Sequence, residues 1–110
     1  MTYVHQELAQ GRWKQLSFVE QMANVGSEIE RTIAWREKGK PDISRRAFER
    51  ALELLDLTIA NVTDFAKLKE LLRVREALAD HFVFDNEYHS TDESWQRYFR
   101  FFLFASRGNR

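Results

Sequence analysis

The sequence predicts an all-α fold, an antiparallel up-down-up-down four-helix bundle with a short N-terminal arm, and three observations predict it. Apolar residues recur at three- and four-residue spacing in four long segments, the punctuation between segments is short, and no stretch alternates as a strand does. One proline and four glycines in 110 residues leave the chain few places to turn. That length suits one domain, divided into an arm over residues 1–11 and a bundle over residues 12–110.

Gly11 separates the arm from a first helix expected over residues 12–38, which Gly39, Lys40 and Pro41 end. Asp42 or Ser44 is placed to cap the second helix, whose seam of Phe48, Leu52, Leu55, Ile59 and Val62 steps by four and three residues without a break. Thr63 or Asp64 caps a third helix over residues 65–83, with Phe65, Leu68, Leu71, Leu72, Leu78, Ala79 and Phe82 as its apolar set. Residues 85–89 are polar and turn-like, and Ser90 with Glu93 three residues later has the form of a capping box for a fourth helix over residues 94–107.

That last helix carries more apolar surface than a small bundle needs. Trp95, Tyr98, Phe99, Phe101, Phe102 and Phe104 are six of its first eleven residues. At about 100° per residue, Trp95, Phe99, Phe102, Tyr98, Ala105, Phe101 and Leu103 cover an arc of roughly 200°, about twice what packing on a single core requires. Phe104 falls outside that arc, among Arg97, Arg100 and Arg107. A partner is expected to cover the excess, which points to an interaction module.

Charge is balanced, with 17 Lys and Arg against 17 Asp and Glu, and this argues against a dedicated non-specific nucleic-acid binder while allowing a local basic patch. In the expected topology the first and third connections share one end. The first is basic (Arg36, Lys38, Lys40, Arg45, Arg46) and the third acidic (Asp80, Asp85, Glu87, Asp92, Glu93), so the two are expected to face each other. The opposite end gathers Arg12, Lys14, Lys67, Lys69, Arg107 and Arg110, opposed mainly by Asp64 and Glu70. With Phe104 on its approach, this end has the stacking and phosphate-pairing groups that single-stranded nucleic acid requires; a solvated helix end whose Phe meets another subunit is the alternative.

Arg75 sits within the third helix's apolar arc and needs a carboxylate, and Glu30 falls within the first helix's apolar arc among Val19, Ala23, Gly26 and Ile33. Both lie about eight positions before their helix ends. A buried Glu30–Arg75 ion pair, with the Tyr98 hydroxyl nearby, is therefore expected, either to set register or to form a polar site. Trp13 and Trp35 project to the mainly polar side of the first helix, alongside Glu20, Asn24, Glu28 and Arg31. They are expected to join Phe101 and Phe104 in a subunit contact, or, for Trp13, to cover the open end of the bundle.

No cysteine is present, which leaves no disulfide framework or thiolate chemistry and agrees with a cytoplasmic location. No leader pattern or membrane-spanning run is evident. His81, Asp85, Glu87 and His89 fall within nine residues, but the Glu-x-x-His pairs of metal-binding bundles are missing, so neither a metal nor another cofactor is expected. Nor is there a serine-nucleophile or glycine-rich nucleotide signature.

Arg75 and His81, with five residues between them, resemble the Arg-x5-His motif of the HEPN family of all-helical ribonucleases. In that family the arginine and histidine of a dimer cleave RNA, so the resemblance implies catalytic roles for Arg75 and His81. The enzyme reading needs Arg75 open to solvent, whereas the ion-pair reading buries it.

The stretches FVEQMANVGSEIERTIAWR, AFERALELLDLTI and LKELLRVREAL resemble segments of a group of short uncharacterised prokaryotic helical proteins, a group that brings no activity with it. More distantly, the length, helix number and basic end are similar to those of the four-helix bundle family of rRNA intervening-sequence proteins and of diversity-generating retroelement accessory proteins. The latter likeness implies self-assembly and binding to a reverse transcriptase and nucleic acid. The expected function is thus a non-catalytic, homo-oligomeric adaptor or scaffold in the cytoplasm, with nucleic acid or a nucleic-acid enzyme as further partner. Arg12, Lys14, Lys67, Lys69, Arg97, Arg100 and Arg107 are available for phosphate. The alternatives are the HEPN-like enzyme and a plain bundle with one specific protein partner.

Overall fold

A computed structural model describes residues 11–108; residues 1–10 of the expected arm, and Arg110, lie outside the described residues. Those described are all-α, with no strand among them. Five helices follow in order: α1 (Trp13–Gln15), α2 (Phe18–Glu37), α3 (Pro41–Asn61), α4 (Phe65–Phe82) and α5 (Asp92–Gly108).

The fifth helix arises because the expected first helix is broken at Leu16 and Ser17. Ser17 is extended, and it and Glu20 form a reciprocal cap: Glu20 N–H donates to Ser17 Oγ at 3.1 Å and Ser17 N–H to Glu20 Oε1 at 3.0 Å. The Trp13 carbonyl accepts from the Leu16 N–H at 3.2 Å and from the Gln21 side-chain amide at 2.9 Å, so both sides of the break are tied together. The break swings Trp13 inward, where it is 2% exposed and its Nε1–H donates to Thr58 Oγ1 at 3.2 Å. Trp13 therefore covers the end of the core and does not project from the polar side of a continuous helix.

Two caps differ from expectation in detail and one agrees with it. α3 starts at Pro41, whose fixed φ suits a first helical position, and Ser44 instead donates from Oγ to the Thr32 carbonyl at 2.7 Å. Asp64 caps α4, accepting from Ala66 and Lys67 N–H, in agreement with one of the two expected residues. α5 begins at Asp92, two residues early. Its reciprocal cap joins Thr91 and Ser94, one residue on from the expected Ser90–Glu93 pair. α2 ends at Glu37, one residue before the expected end, and Gly39 just beyond it is the one glycine with positive φ (+75°) among the described residues.

Neighbouring helices run in opposite senses, as their cross-links show. Along α2 and α3 the pairs are Thr32–Ser44 and Glu28–Arg50; along α2 and α5, Arg36–Asp92 and Phe18–Phe102; along α3 and α4, Phe48–Phe82 and Asp56–Arg75. Met22, Val25, Ile29, Leu55, Leu71 and Leu78 are fully buried in one core that Trp95, Phe99 and Phe102 complete. Each such side chain contributes about 1.5–3 kcal/mol by leaving water. α2 and α5 pass close together at Gly26, where an added Cβ would lie 2.7 Å from Phe99 Cβ.

The connection over residues 83–91 is tied to α4. The nearly buried Asp80 carboxylate accepts from the backbone N–H of Glu87 and Tyr88 at 2.9 and 3.0 Å, and the Tyr88 hydroxyl donates to Glu76 at 2.9 Å. Asn86 and His89 adopt positive φ within this connection, and Asn86 closes it by exchanging hydrogen bonds with Ser90.

Candidate functional site

The outward face of α5 is the main candidate. Trp95, Phe99 and Phe102 point into the core, and Tyr98 is half-buried against α4, donating from its hydroxyl to Glu70 at 2.8 Å. Burial, with the Glu70 carboxylate beside it, holds that phenol neutral far above its usual range. Around the helix from this packed side, Phe101 and Phe104 remain 66% and 60% exposed. Arg97, Arg100 and Arg107 are exposed too, and their three- and four-residue spacing from the two phenylalanines makes one cationic, aromatic ridge. The Phe101 ring is braced edge-on against Phe102 at 5.2 Å, so the exposed ring is held in place by a core residue. Both phenylalanines thus lie where the excess of apolar surface placed them. Of the two tryptophans expected in the same contact, Trp13 is buried, and Trp35 is half-buried beneath the Lys38 ammonium 4.8 Å from its ring centre.

The expected Glu30–Arg75 pair does not form. Arg75 pairs with Asp56 of α3, Nε to Oδ1 at 2.6 Å and Nη2 to Oδ2 at 3.3 Å, and both side chains are only partly buried. Glu30 is exposed on the α5 side, with a 3.4 Å contact from the Gln96 amide. The two residues face different neighbours: Glu30 stands beside Gln96 and Phe99 of α5, whereas Arg75 reaches across to Asp56 of α3. The buried carboxylate of α2 is instead Glu28, 5% exposed, which accepts from Arg31 and Arg50 at 3.1 Å each.

At the end with the first and third connections, Arg36 pairs with Asp92 and lies over the Phe82 ring, so the basic and acidic connections do meet there. His81 Nε2 shares Asp92 at 2.9 Å. Burial alone would raise the Asp92 carboxyl, but the hydrogen bonds and charges of His81 and Arg36 outweigh it and hold the group below the usual carboxylate range. Among the described residues, no group of three or more His, Asp or Glu side chains is placed to hold a metal ion.

At the opposite end Lys14 and Lys67 line one cleft of about 350 Å³, with Asp64 in the same wall and the Lys67 ammonium 4.8 Å from the Phe18 ring centre. Arg12 and Lys69 are exposed.

A second surface had no distinct signal in the sequence. Arg75 lines a groove of about 580 Å³ between α4 and the 83–91 connection, and Leu72, Phe84 and Tyr88 there are 50%, 71% and 59% exposed. Glu76, Asp80, Asp85 and Glu87 surround it. The apolar period placed Leu72 in the core, but α4 turns a narrower face inward, Leu71, Val74 and Leu78. His81 does not line this groove, so Arg75 and His81 are engaged separately, with Asp56 and with Asp92. Compared with protein-family models, curated proteins and solved structures, the chain matches none of them.

Proposed function

We propose that this chain is a non-catalytic, self-associating adaptor or scaffold, built as an antiparallel four-helix bundle. The observation that carries the reading is the α5 ridge, where two phenylalanines stay about two-thirds exposed between three arginines. Side chains of this size and kind dominate interfaces when covered, and an aromatic and arginine surface is the composition of interface centres. The opposed helix pairs support the bundle. The separate engagement of Arg75 and His81 favours a non-catalytic role over RNA cleavage. No helix among the described residues is long and apolar enough to cross a membrane; a cytoplasmic location belongs to the same proposal.

Light scattering on the wild type and on Phe104→Glu tests the reading. An oligomer that the substitution breaks, with unchanged helical content, is the expected result. A wild type that stays monomeric across concentration and salt overturns it.

One observation favours nucleic acid as a further partner: Lys14 and Lys67 share a cleft at the end that also carries Arg12 and Lys69. A labelled single-stranded oligonucleotide should bind with a salt slope that falls in Lys14→Glu/Lys67→Glu. Equal affinity of that variant removes this partner from the proposal.

A further inference from the structure

We infer that the occupant of the groove beside α4 is the α5 ridge of a second copy of this chain. The inference rests on the self-association proposed above and names the surface that receives the ridge. Two features of the same molecule are complementary. The ridge is convex and cationic, with Phe101 and Phe104 about 4.5 Å apart along the helix axis and Arg97, Arg100 and Arg107 around them. The groove is concave and acidic, with apolar Leu72, Phe84 and Tyr88 exposed in it and the small Ala79 on its α4 side. Its volume, about 580 Å³, is of the size that encloses a drug-sized molecule and so accommodates aromatic side chains. Around it stand Glu76, Asp80, Asp85 and Glu87 against one guanidinium, Arg75, which already holds Asp56.

Charge sets the choice of partner. Two ridges packed on each other about a twofold axis would bring the arginines of both copies together around the phenylalanines, a like-charge arrangement that costs affinity. Ridge against groove brings those arginines to carboxylates and places aromatic against apolar surface on both sides. Neither feature can satisfy the other within one chain. The ridge faces away from the core on α5, and no residue of α5 lines the groove, which is built from α4 and the 83–91 connection. The contact is therefore heterologous: each copy offers one ridge and one groove, and copies add head to tail into a closed ring or an open chain according to the rotation between them.

A complementation experiment tests this. Phe104→Glu disables the ridge, and Leu72→Lys/Asp85→Lys, at exposed positions, disables the groove. Each variant alone should be monomeric, and an equimolar mixture should form a species of twice the monomer mass, because one intact ridge then meets one intact groove. Thermal melts of both variants check that they are folded; should the double variant fail to fold, Phe84→Ser in the connection replaces it. A groove variant that keeps the wild-type mass, or a mixture that stays monomeric, overturns the ridge-in-groove contact while self-association stands. A monomeric wild type overturns both.

Discussion

α2 and α4 pass through the same core and are held in it by different means. α2 meets α5 at backbone distance, since Gly26 leaves Phe99 Cβ where a side chain would otherwise stand. It meets α3 through the buried Glu28 and through its Thr32 carbonyl, which accepts from Ser44. α4 buries only Leu71, Val74, Leu78 and Asp80, and its links to α3 and α5 include longer side chains at partly exposed positions: Arg75 to Asp56, Glu70 to Tyr98, His81 to Asp92. A contact at backbone distance leaves no room for change, whereas a long polar side chain can be lost with little movement of the helix that carries it. Substitutions along α2 should therefore cost more than substitutions along α4.

The largest effect is expected at Gly26. Gly26→Val drives a branched side chain against Phe99 Cβ, which is anchored to the α5 backbone and can yield only if the helix moves, and should destabilise the protein by about 3 kcal/mol. Denaturant unfolding measures it, and a wild-type midpoint would mean that α2 and α5 are not close-packed. Arg50→Met comes next, at about 1–2 kcal/mol, because it takes one of two guanidinium partners from a buried carboxylate. Arg75→Met should cost less than about 1 kcal/mol, since the pair it breaks is partly exposed and Asp56 gains water in return. A cost for Arg75→Met equal to or above that for Arg50→Met would invert the comparison.

The smallest effect depends on pH. The fold favours ionised Asp92, so that carboxylate's contribution is present above the ordinary Asp value and is lost as pH falls through the depressed folded value. The wild type should melt above Asp92→Asn near neutral pH, and the gap should close below about pH 4. A gap that persists unchanged into acid would show that the Asp92 charge does not join α2, α4 and α5.

Much of this was legible along the chain. The seam of α3, the Asp64 cap and the exposure of Phe101 and Phe104 follow from local period and from counting apolar surface, but the apolar set of α4 does not hold, since Leu71 and Leu78 are buried while Phe65 and Leu72 are 77% and 50% exposed. The break at Ser17 was legible as well: Ser17 and Glu20 carry the capping-box spacing that the neighbouring apolar pattern overrides when the segment is taken as one helix. The groove was not, because its walls come from α4 and from a connection whose path depends on Asp80 gathering the Glu87 and Tyr88 amides.

By itself the sequence determined that the chain is helical, where most helices begin and end, and that α5 carries more aromatic surface than its core covers. These are properties of spacing within single segments. Only the tertiary structure decided which charges meet. Arg75 finds Asp56, Glu28 finds Arg50, and Glu30 is left at the surface, because Arg75 faces α3 and Glu30 faces α5. Partner choice depends on which neighbour each helix face meets, and that is set by the packing of the whole core, which no single segment encodes.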